Sequence, residues 1–150
     1  MRATILYVII GVVVGTVVGV GGFTFFYAKG ASYMTDNAEA CANCHVMSQH
    51  YDAWMKSSHR AVAVCNDCHT PAGFVAKYYT KALNGFLHSY AFTTGNFPDV
   101  LRITARNEKI SDDSCRKCHE DVVVAMDGMA PAGEKPSCLR CHGPVGHPLR

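Results

Sequence analysis

The chain has 150 residues, 49% of them hydrophobic, and a formal net charge of +2. Its 14 basic residues are dispersed and form no basic run, so we expect no nucleic-acid partner. A chain of this length would ordinarily form one modest domain, but eight cysteines in a repeated pattern indicate a different organisation.

The first segment, from Thr4 to Ala28, contains no charged residue. About 20 apolar residues are enough to cross the core of a bilayer as a helix. We therefore predict a transmembrane anchor in residues 1–28, in contact with membrane lipid, followed by a second domain in residues 29–150. A cleaved signal peptide is the alternative, with Ala28 and Gly30 at its cleavage site, but such peptides have apolar regions of only about 7–15 residues.

Glycines recur every four residues in this segment, at Gly11, Gly15 and Gly19. Small residues at this spacing let two membrane helices approach closely, so the spacing favours a homo-oligomer. The alternative is that glycine is simply common in membrane helices.

All eight cysteines belong to four C-x-x-C-H motifs. This motif is typical of c-type haem, whose vinyl groups bond both thiols while the histidine binds the iron. Disulfides or zinc ribbons are the alternatives, but four motifs that use every cysteine leave little room for either. We predict four covalent c-type haems, attached through Cys41, Cys44, Cys65, Cys68, Cys115, Cys118, Cys138 and Cys141.

These motifs also predict the location and the fold. In bacteria, c-type haem is attached outside the inner membrane, so residues 29–150 are expected on the periplasmic side of a single-pass protein. Four haems in so short a domain would form its core, wrapped by short helices and loops. The predicted fold class is mostly α with little or no sheet, with helices at 46–58, 73–92, 99–108 and 118–127 and turns at 94–99 and 128–137.

The first motif continues with a methionine, in "CANCHVM". Met47 lies two residues after the motif histidine, His45. Either Met47 packs against its surroundings, or it competes with His45 for the first haem iron.

Four histidines lie outside the motifs: His50, His59, His88 and His147. His147 follows the last motif too closely to reach the opposite face of its own haem easily, so it would more naturally bind a neighbouring iron. His59 is likewise free to bind another haem, and either residue could instead be a surface histidine. We expect His50 to be exposed or packed beside Trp54.

Residues 73–92 combine a basic stripe with an apolar surface. Lys77, Lys81 and His88 are spaced so that about 100° per residue places them within about 40° of one another on a helix. An apolar helix with such a stripe fits the membrane surface beside a haem. The alternative is a stripe that faces solvent or lipid headgroups. The aromatic and aliphatic residues that cover much of the rest of this helix are Phe74, Tyr78, Tyr79, Leu83, Phe86, Leu87 and Tyr90.

The chain resembles the NapC/NirT family of membrane-anchored tetrahaem quinol dehydrogenases. The resemblance lies in the N-terminal helix, the four motifs, "CHVM" at the first motif and "CNDCH" at the second. The resemblance covers essentially the whole chain. Its short length is most similar to the small, quinol-oxidising subunits of cytochrome c nitrite reductases.

The resemblance implies a set of iron ligands. Met47 would bind the first iron in place of His45. His69 would bind the second iron, whose other face would be left to a residue of a partner enzyme. The third and fourth irons would each have two histidines, His119 with His147 and His142 with His59.

The resemblance also implies a quinol site beside the first haem, formed by a lysine at Lys81 and an acid at the position of His88. Histidine replaces that acid here, and it could bind the iron or accept protons from quinol together with Lys81. The expected activity is oxidation of a quinol, menaquinol as first choice, with electrons passed to a periplasmic multihaem nitrite reductase subunit.

Two other functions are compatible with the sequence. One is an electron-relay anchor for another reductase or dehydrogenase, without a quinol site of its own. The other is a small reductase with an open haem, but the chain has no lysine variant of the haem motif and little length to enclose a substrate.

Overall fold

The computed structural model of the protein describes residues 2–131 and 135–147. The chain forms two compact units, residues 1–32 and 33–150. The described residues are mostly helical and contain no β-strand, which confirms the predicted fold class.

The first unit is dominated by α1, Arg2–Tyr27, a 26-residue helix in which no residue is buried. Of the described residues, only this helix is long and apolar enough to cross a membrane. A Cβ added at Gly11, Gly15 or Gly19 would meet no atom within 4 Å. Pairing of two α1 helices through these glycines stays a prediction.

The second unit contains six α-helices among its described residues. They are α2 (Ala38–Cys41), α3 (Ser48–Met55), α4 (Cys65–His69), α5 (Phe74–Thr94), α6 (Ala105–Cys118) and α7 (Glu120–Asp127). Short 3₁₀ helices occur at Gly30–Met34, His45–Met47, Ser58–Ala61 and Cys138–Arg140. The helix predicted at 73–92 is confirmed as α5, which ends two residues later.

One predicted helix was placed wrongly. Residues 101–104, inside the helix expected at 99–108, are not helical, and α6 begins only at Ala105. Thr104 caps that start, because its hydroxyl accepts a hydrogen bond from the backbone N–H of Asn107. The helix then continues through the cysteines of the third motif, which the sequence did not suggest.

The other predicted boundaries are close to those observed. The helix expected at 46–58 is the 3₁₀ turn His45–Met47 followed by α3, and the one expected at 118–127 is α7. Gly95, in the turn predicted at 94–99, ends α5 with φ 68°, a left-handed conformation that favours glycine. Of the turn predicted at 128–137, residues 132–134 lie outside the described part of the chain.

Very few hydrophobic side chains are buried. Among the described residues these are Ala38 and Val123, whereas five buried residues are polar or charged. The second unit therefore has almost no hydrophobic core made of its own side chains, which is unusual for a domain of this length.

Candidate functional site

The four haem motifs lie at the ends of helices or within them. Cys41 ends α2, the second motif forms α4, Cys118 ends α6, and Cys138 begins a 3₁₀ helix. None of the eight cysteines is in a disulfide. Among residues 2–131 and 135–147, no group of three or more His, Cys, Asp and Glu side chains is placed to bind a metal ion.

The motifs are neighbours in space in the same order as in the sequence. The helix α2, which ends at Cys41 of the first motif, packs against α4, which carries the second motif. Helix α4 packs against α6, which carries the cysteines of the third motif. Helix α6 in turn contacts the 3₁₀ helix Cys138–Arg140, which begins the fourth motif. Groups attached at these thiols would form a continuous series.

Imidazole pairs in this region are spaced as haem ligands require. The ring centroids of His59 and His119 are 6.2 Å apart, and those of His69 and His147 are 6.0 Å apart. A metal–imidazole bond of about 2 Å on each side of an iron puts two ring centroids about 6 Å apart. With the scarcity of a side-chain core, these distances show that the residues present fit haem.

The pairs that the structure brings together differ from those that the resemblance implies. His59 lies beside His119, and His147 lies beside His69 and also His50, at 4.8 Å between centroids. Pairing of His119 with His147 and of His142 with His59 stays a prediction.

The second-motif histidine is in the protonation state that iron binding needs. Burial, followed by the charges of His147 and His50, lowers the pKa of His69 to about 4. The imidazole is therefore neutral at pH 7 and can donate a ring nitrogen to a metal. At the first motif, His45 and Met47 share one 3₁₀ turn, with His45 exposed and Met47 half-buried.

The basic stripe on α5 faces the segment that leads to the first motif. Lys81 Nζ donates to the backbone carbonyl of Thr35 at 2.7 Å and to Asp36 Oδ1 at 2.8 Å. Lys77 Nζ donates to Asp36 Oδ2 at 2.5 Å. We call this group the α5 cluster; its members are Tyr33, Thr35, Asp36, Lys77, Lys81 and His88.

Tyr33 and His88 form the other end of the α5 cluster. The Tyr33 hydroxyl oxygen lies 3.4 Å from Nδ1 of His88. The Tyr33 ring packs over Gly85, where an added Cβ would come within 3.3 Å of it. Glycine at this point of α5 therefore lets the tyrosine approach the helix.

Two acidic groups of the α5 cluster have shifted pKa values. Hydrogen bonds from Lys77 and Lys81 lower the pKa of Asp36 to about 2, so its carboxylate is ionised at any physiological pH. Burial raises the pKa of Tyr33, and the neighbouring thiols of Cys44 and Cys41 add to this. The cluster thus holds its charge beside the first haem motif.

The surroundings of His88 favour its neutral form. Although much of its side chain is open to solvent, desolvation of the ring and then the charge of Arg106 lower its pKa. A neutral imidazole at pH 7 can accept a proton.

Sequence reasoning missed Tyr33 and Asp36. Both contact α5 residues more than 40 positions away, and neither lies in a motif or a periodic stripe. The lysine pair Lys77 and Lys81, spaced four apart on an otherwise apolar helix, was the only available signal that an acid should face it.

Around the fourth motif, a second set of polar contacts ties α6 to the chain that follows it. Arg116 Nη1 donates to both carboxylate oxygens of Asp127 at 2.7 Å, and its Nη2 donates to the carbonyl of Pro136 at 2.7 Å. Asp112 accepts hydrogen bonds from the backbone N–H groups of Cys138 and Leu139. We call this set the C-terminal clamp.

Comparison with known proteins gives a consistent result. The model of the family described as "NapC/NirT cytochrome c family, N-terminal region" matches residues 1–150. The cytochrome c-type protein NrfH of Wolinella succinogenes is 35% identical over 130 residues, which cover 80% of this chain and 73% of the relative. The cytochrome c nitrite reductase subunit NrfH of Nitratidesulfovibrio vulgaris is 31% identical over 120 residues, covering 80% and 72%.

A solved structure agrees with these relatives. A chain in the crystal structure of the cytochrome c nitrite reductase NrfHA complex bound to the HQNO inhibitor is similar with a TM-score of 0.62 and 27% identity. The similarity covers 91% of this chain and 87% of that one. The chain therefore belongs to the NapC/NirT cytochrome c family and is a haem-binding electron-transport protein.

Proposed function

We propose that this protein oxidises a quinol, menaquinol as first choice, and passes the electrons to a periplasmic multihaem nitrite reductase subunit. Two relatives at 35% and 31% identity carry the name NrfH, and the similar solved chain belongs to a nitrite reductase complex bound to HQNO. This similarity supports the nitrite reductase as the partner.

One observation carries the quinol site: the whole stripe predicted on α5 contacts residues 33–36. Lys77 and Lys81 bind Asp36, Lys81 also binds Thr35, and His88 lies beside Tyr33. A stripe that merely faced solvent or lipid headgroups would not converge on the segment that ends at Cys41. The convergence favours a site beside the first haem.

The chemistry requires separate routes for protons and electrons. Oxidation of one quinol to quinone releases two protons and two electrons, and bound c-type haems supply one-electron acceptors. Neutral His88 would accept the protons and pass them to periplasmic water. Lys81, normally charged at neutral pH, would donate a hydrogen bond to a quinol oxygen.

The proposal includes four covalent haems on the eight motif cysteines. The residues that would hold their irons are Met47, His69, His119, His142, His59 and His147. The packing of α2 on α4, of α4 on α6, and of α6 on the 3₁₀ helix Cys138–Arg140 supports electron transfer from the first attachment site to the fourth.

The proposal also places the domains. Residues 1–28 would be the single-pass anchor in the bacterial inner membrane, and residues 29–150 would form the periplasmic haem domain. The exposed surface of α1, which carries no charged residue after Arg2, supports the anchor. Its glycines support self-association within a complex that also contains the reductase.

Reduction of the purified, haem-loaded protein in detergent tests the quinol site. We expect a soluble menaquinol analogue to reduce the haems, with HQNO slowing this reaction. Dithionite reduction serves as the control for intact haems. Full dithionite reduction with no quinol reaction would contradict the quinol site and favour the electron-relay anchor.

The partner needs a separate experiment. We expect mild solubilisation of membranes, followed by affinity isolation of this chain and mass spectrometry, to recover a multihaem nitrite reductase. Recovery of a different reductase at stoichiometric amounts would contradict the proposed partner and leave the quinol site standing.

A further inference from the structure

Three segments of the haem domain meet at the carboxylate of Asp36, which the proposed quinol chemistry does not use. It accepts hydrogen bonds from Lys77 and Lys81 on α5 and, at 2.9 Å, from the side-chain amide of Asn66 on α4. Asn66 also donates to the carbonyl of Thr35 at 3.2 Å. Asp36 thus links the approach to the first motif, the second motif and α5.

Lys81 is the partner that Asp36 constrains most. Only 6% of the Lys81 side chain is exposed, whereas that of Lys77 is 27% exposed. An ammonium group has three N–H donors, and the structure gives two of them acceptors, on Asp36 and on Thr35. Its Nζ also lies 5.5 Å from the centroid of the Tyr78 ring.

A buried lysine held in this way suits one of two roles and not the other. As a proton acceptor it would first have to lose a proton while facing an ionised carboxylate 2.8 Å away. As a donor it needs no change, because the third N–H can meet an acceptor on a ligand. The contacts therefore favour a hydrogen-bond donor in a fixed position at Lys81.

We propose that Asp36 is a positioning residue for quinol oxidation, which orients the ammonium group of Lys81 so that it donates to a quinol oxygen while His88 takes the protons. The inference rests on the proposed quinol site and deepens it. Asp36 acts through Lys81 and does not touch the quinol.

These roles of Lys81 and His88 account for both protons of the reaction. A quinol O–H bond breaks and its proton goes to the neutral imidazole of His88, while the charge left on oxygen is stabilised by the Lys81 hydrogen bond. The second O–H proton leaves by the same residue after the first has passed to water. Two ferric c-type haems, when bound, would supply the oxidant by accepting one electron each, and quinone would be the product.

The test uses the full-length, haem-loaded protein in detergent with a soluble menaquinol analogue. We expect Asp36→Asn to lower kcat/KM for quinol-dependent haem reduction by about tenfold, since hydrogen bonds to charged groups contribute on that scale. Lys81→Gln should lower it at least as much. The double variant should be no slower than Lys81→Gln alone, because both changes remove the same interaction.

Two further measurements separate positioning from folding. Covalent haem content by mass spectrometry and reduction by dithionite should match the wild type in Asp36→Asn. Asp113→Asn is the matched control, because Asp113 forms an exposed i,i+4 ion pair with Lys109 on α6 at 3.1 Å, and it should leave kcat/KM unchanged. If Asp36→Asn loses haem, Asp36→Glu takes its place and should recover both haem content and part of the rate.

Several results would overturn the inference. These are a wild-type rate in Asp36→Asn, effects of Asp36→Asn and Lys81→Gln that multiply in the double variant, and an Asp36→Glu variant that regains haem without regaining rate. The inference would also be overturned if the effect of Asp36→Asn on the rate disappeared in a Lys77→Gln background and not in a Lys81→Gln background. That result would mean that Asp36 acts through Lys77. A wild-type protein that quinol does not reduce would overturn the proposed quinol site itself, so the two failures are distinguishable.

Discussion

The α5 cluster and the C-terminal clamp both depend on carboxylates but use them differently. In the α5 cluster, Asp36 accepts hydrogen bonds from three side chains, and two of these belong to the basic stripe of α5. In the clamp, Asp112 accepts from backbone N–H groups of the fourth motif, and Arg116 joins Asp127 to a backbone carbonyl.

This difference indicates what each region does. Contacts to the backbone fix the path of the chain, and so the clamp holds the fourth attachment segment against α6. Contacts among charged side chains fix the position of charge, and Lys81 is the buried member of that set. Variants in the α5 cluster should therefore change quinol reactivity, and variants in the clamp should change stability.

The largest expected effect is that of His88→Ala in the α5 cluster. Loss of a proton acceptor typically lowers a rate by about 100-fold or more, so quinol-dependent haem reduction should fall by about that factor. The urea midpoint of unfolding, followed by haem absorbance, should stay near the wild-type value, because His88 is an exposed residue whose contact with Tyr33 is long, at 3.4 Å. Full quinol reactivity in this variant would remove His88 from the proposed mechanism.

Arg116→Met in the clamp should show the opposite pattern. The change leaves Asp127 and the carbonyl of Pro136 without their cationic donor. Breaking a buried pair costs about 3–5 kcal/mol, and because 32% of the Asp127 side chain is exposed we expect about 2 kcal/mol. Urea unfolding should show a lower midpoint at an unchanged m-value, with kcat/KM for quinol per intact protein preserved. A selective loss of quinol reactivity would break the contrast between the two regions.

The pH dependence of quinol oxidation gives a smaller effect on the wild-type protein. Desolvation and the charge of Arg106 lower the pKa of His88 below 6.5, so the neutral, proton-accepting ring persists as the pH falls through 6.5. Below its own pKa the ring is protonated, and the rate should fall about tenfold for each further pH unit.

The acid limb of this profile should disappear in His88→Ala, whose residual rate cannot depend on that ring. Haem reduction by dithionite across the same pH range is the control. An acid limb centred above pH 6.5 would contradict the assignment, since the surroundings of His88 shift its pKa in the other direction.

The sequence predicted the parts of the molecule that depend on local pattern. Hydrophobicity located α1, apolar content and spacing located α5 with its basic stripe, and the haem motifs are explicit. Residues 33–36 had no such pattern, because their significance arises only when Tyr33 and Asp36 meet α5 in the folded chain.

The misplaced helix has a related cause. The prediction at 99–108 did not weigh Thr104 as a helix cap, and it did not extend that helix into the third haem motif. In α6 and α4, cysteines three apart lie on one helical face, which is compatible with both helix and motif. Iron ligand pairs were equally beyond local reasoning, since they depend on which segments pack together.

The smallest expected effect is that of Gly85→Ala. An added Cβ would lie 3.3–3.4 Å from atoms of the Tyr33 ring, so the ring must move by a few tenths of an ångström. Alanine also favours the helix by about 1 kcal/mol over glycine, which offsets the crowding, so the net change in stability should be small. Because the contact between Tyr33 and His88 is already 3.4 Å, even this movement should weaken it.

We expect Gly85→Ala to reduce the quinol-dependent rate about two- to threefold while the urea midpoint changes little. Gly128→Ala is the matched control, because its added Cβ would make ordinary contacts of 3.5 Å and 3.7 Å at the end of α7, far in sequence from the α5 cluster. Equal effects of the two changes on rate would mean that Tyr33 does not act on His88. A loss of rate in Gly85→Ala but not in Gly128→Ala would mean that the position of Tyr33 affects His88. If Gly85→Ala causes no further loss of rate when Tyr33 is also changed to Phe, the Tyr33 hydroxyl is the group that acts, since it is the group that contacts the imidazole.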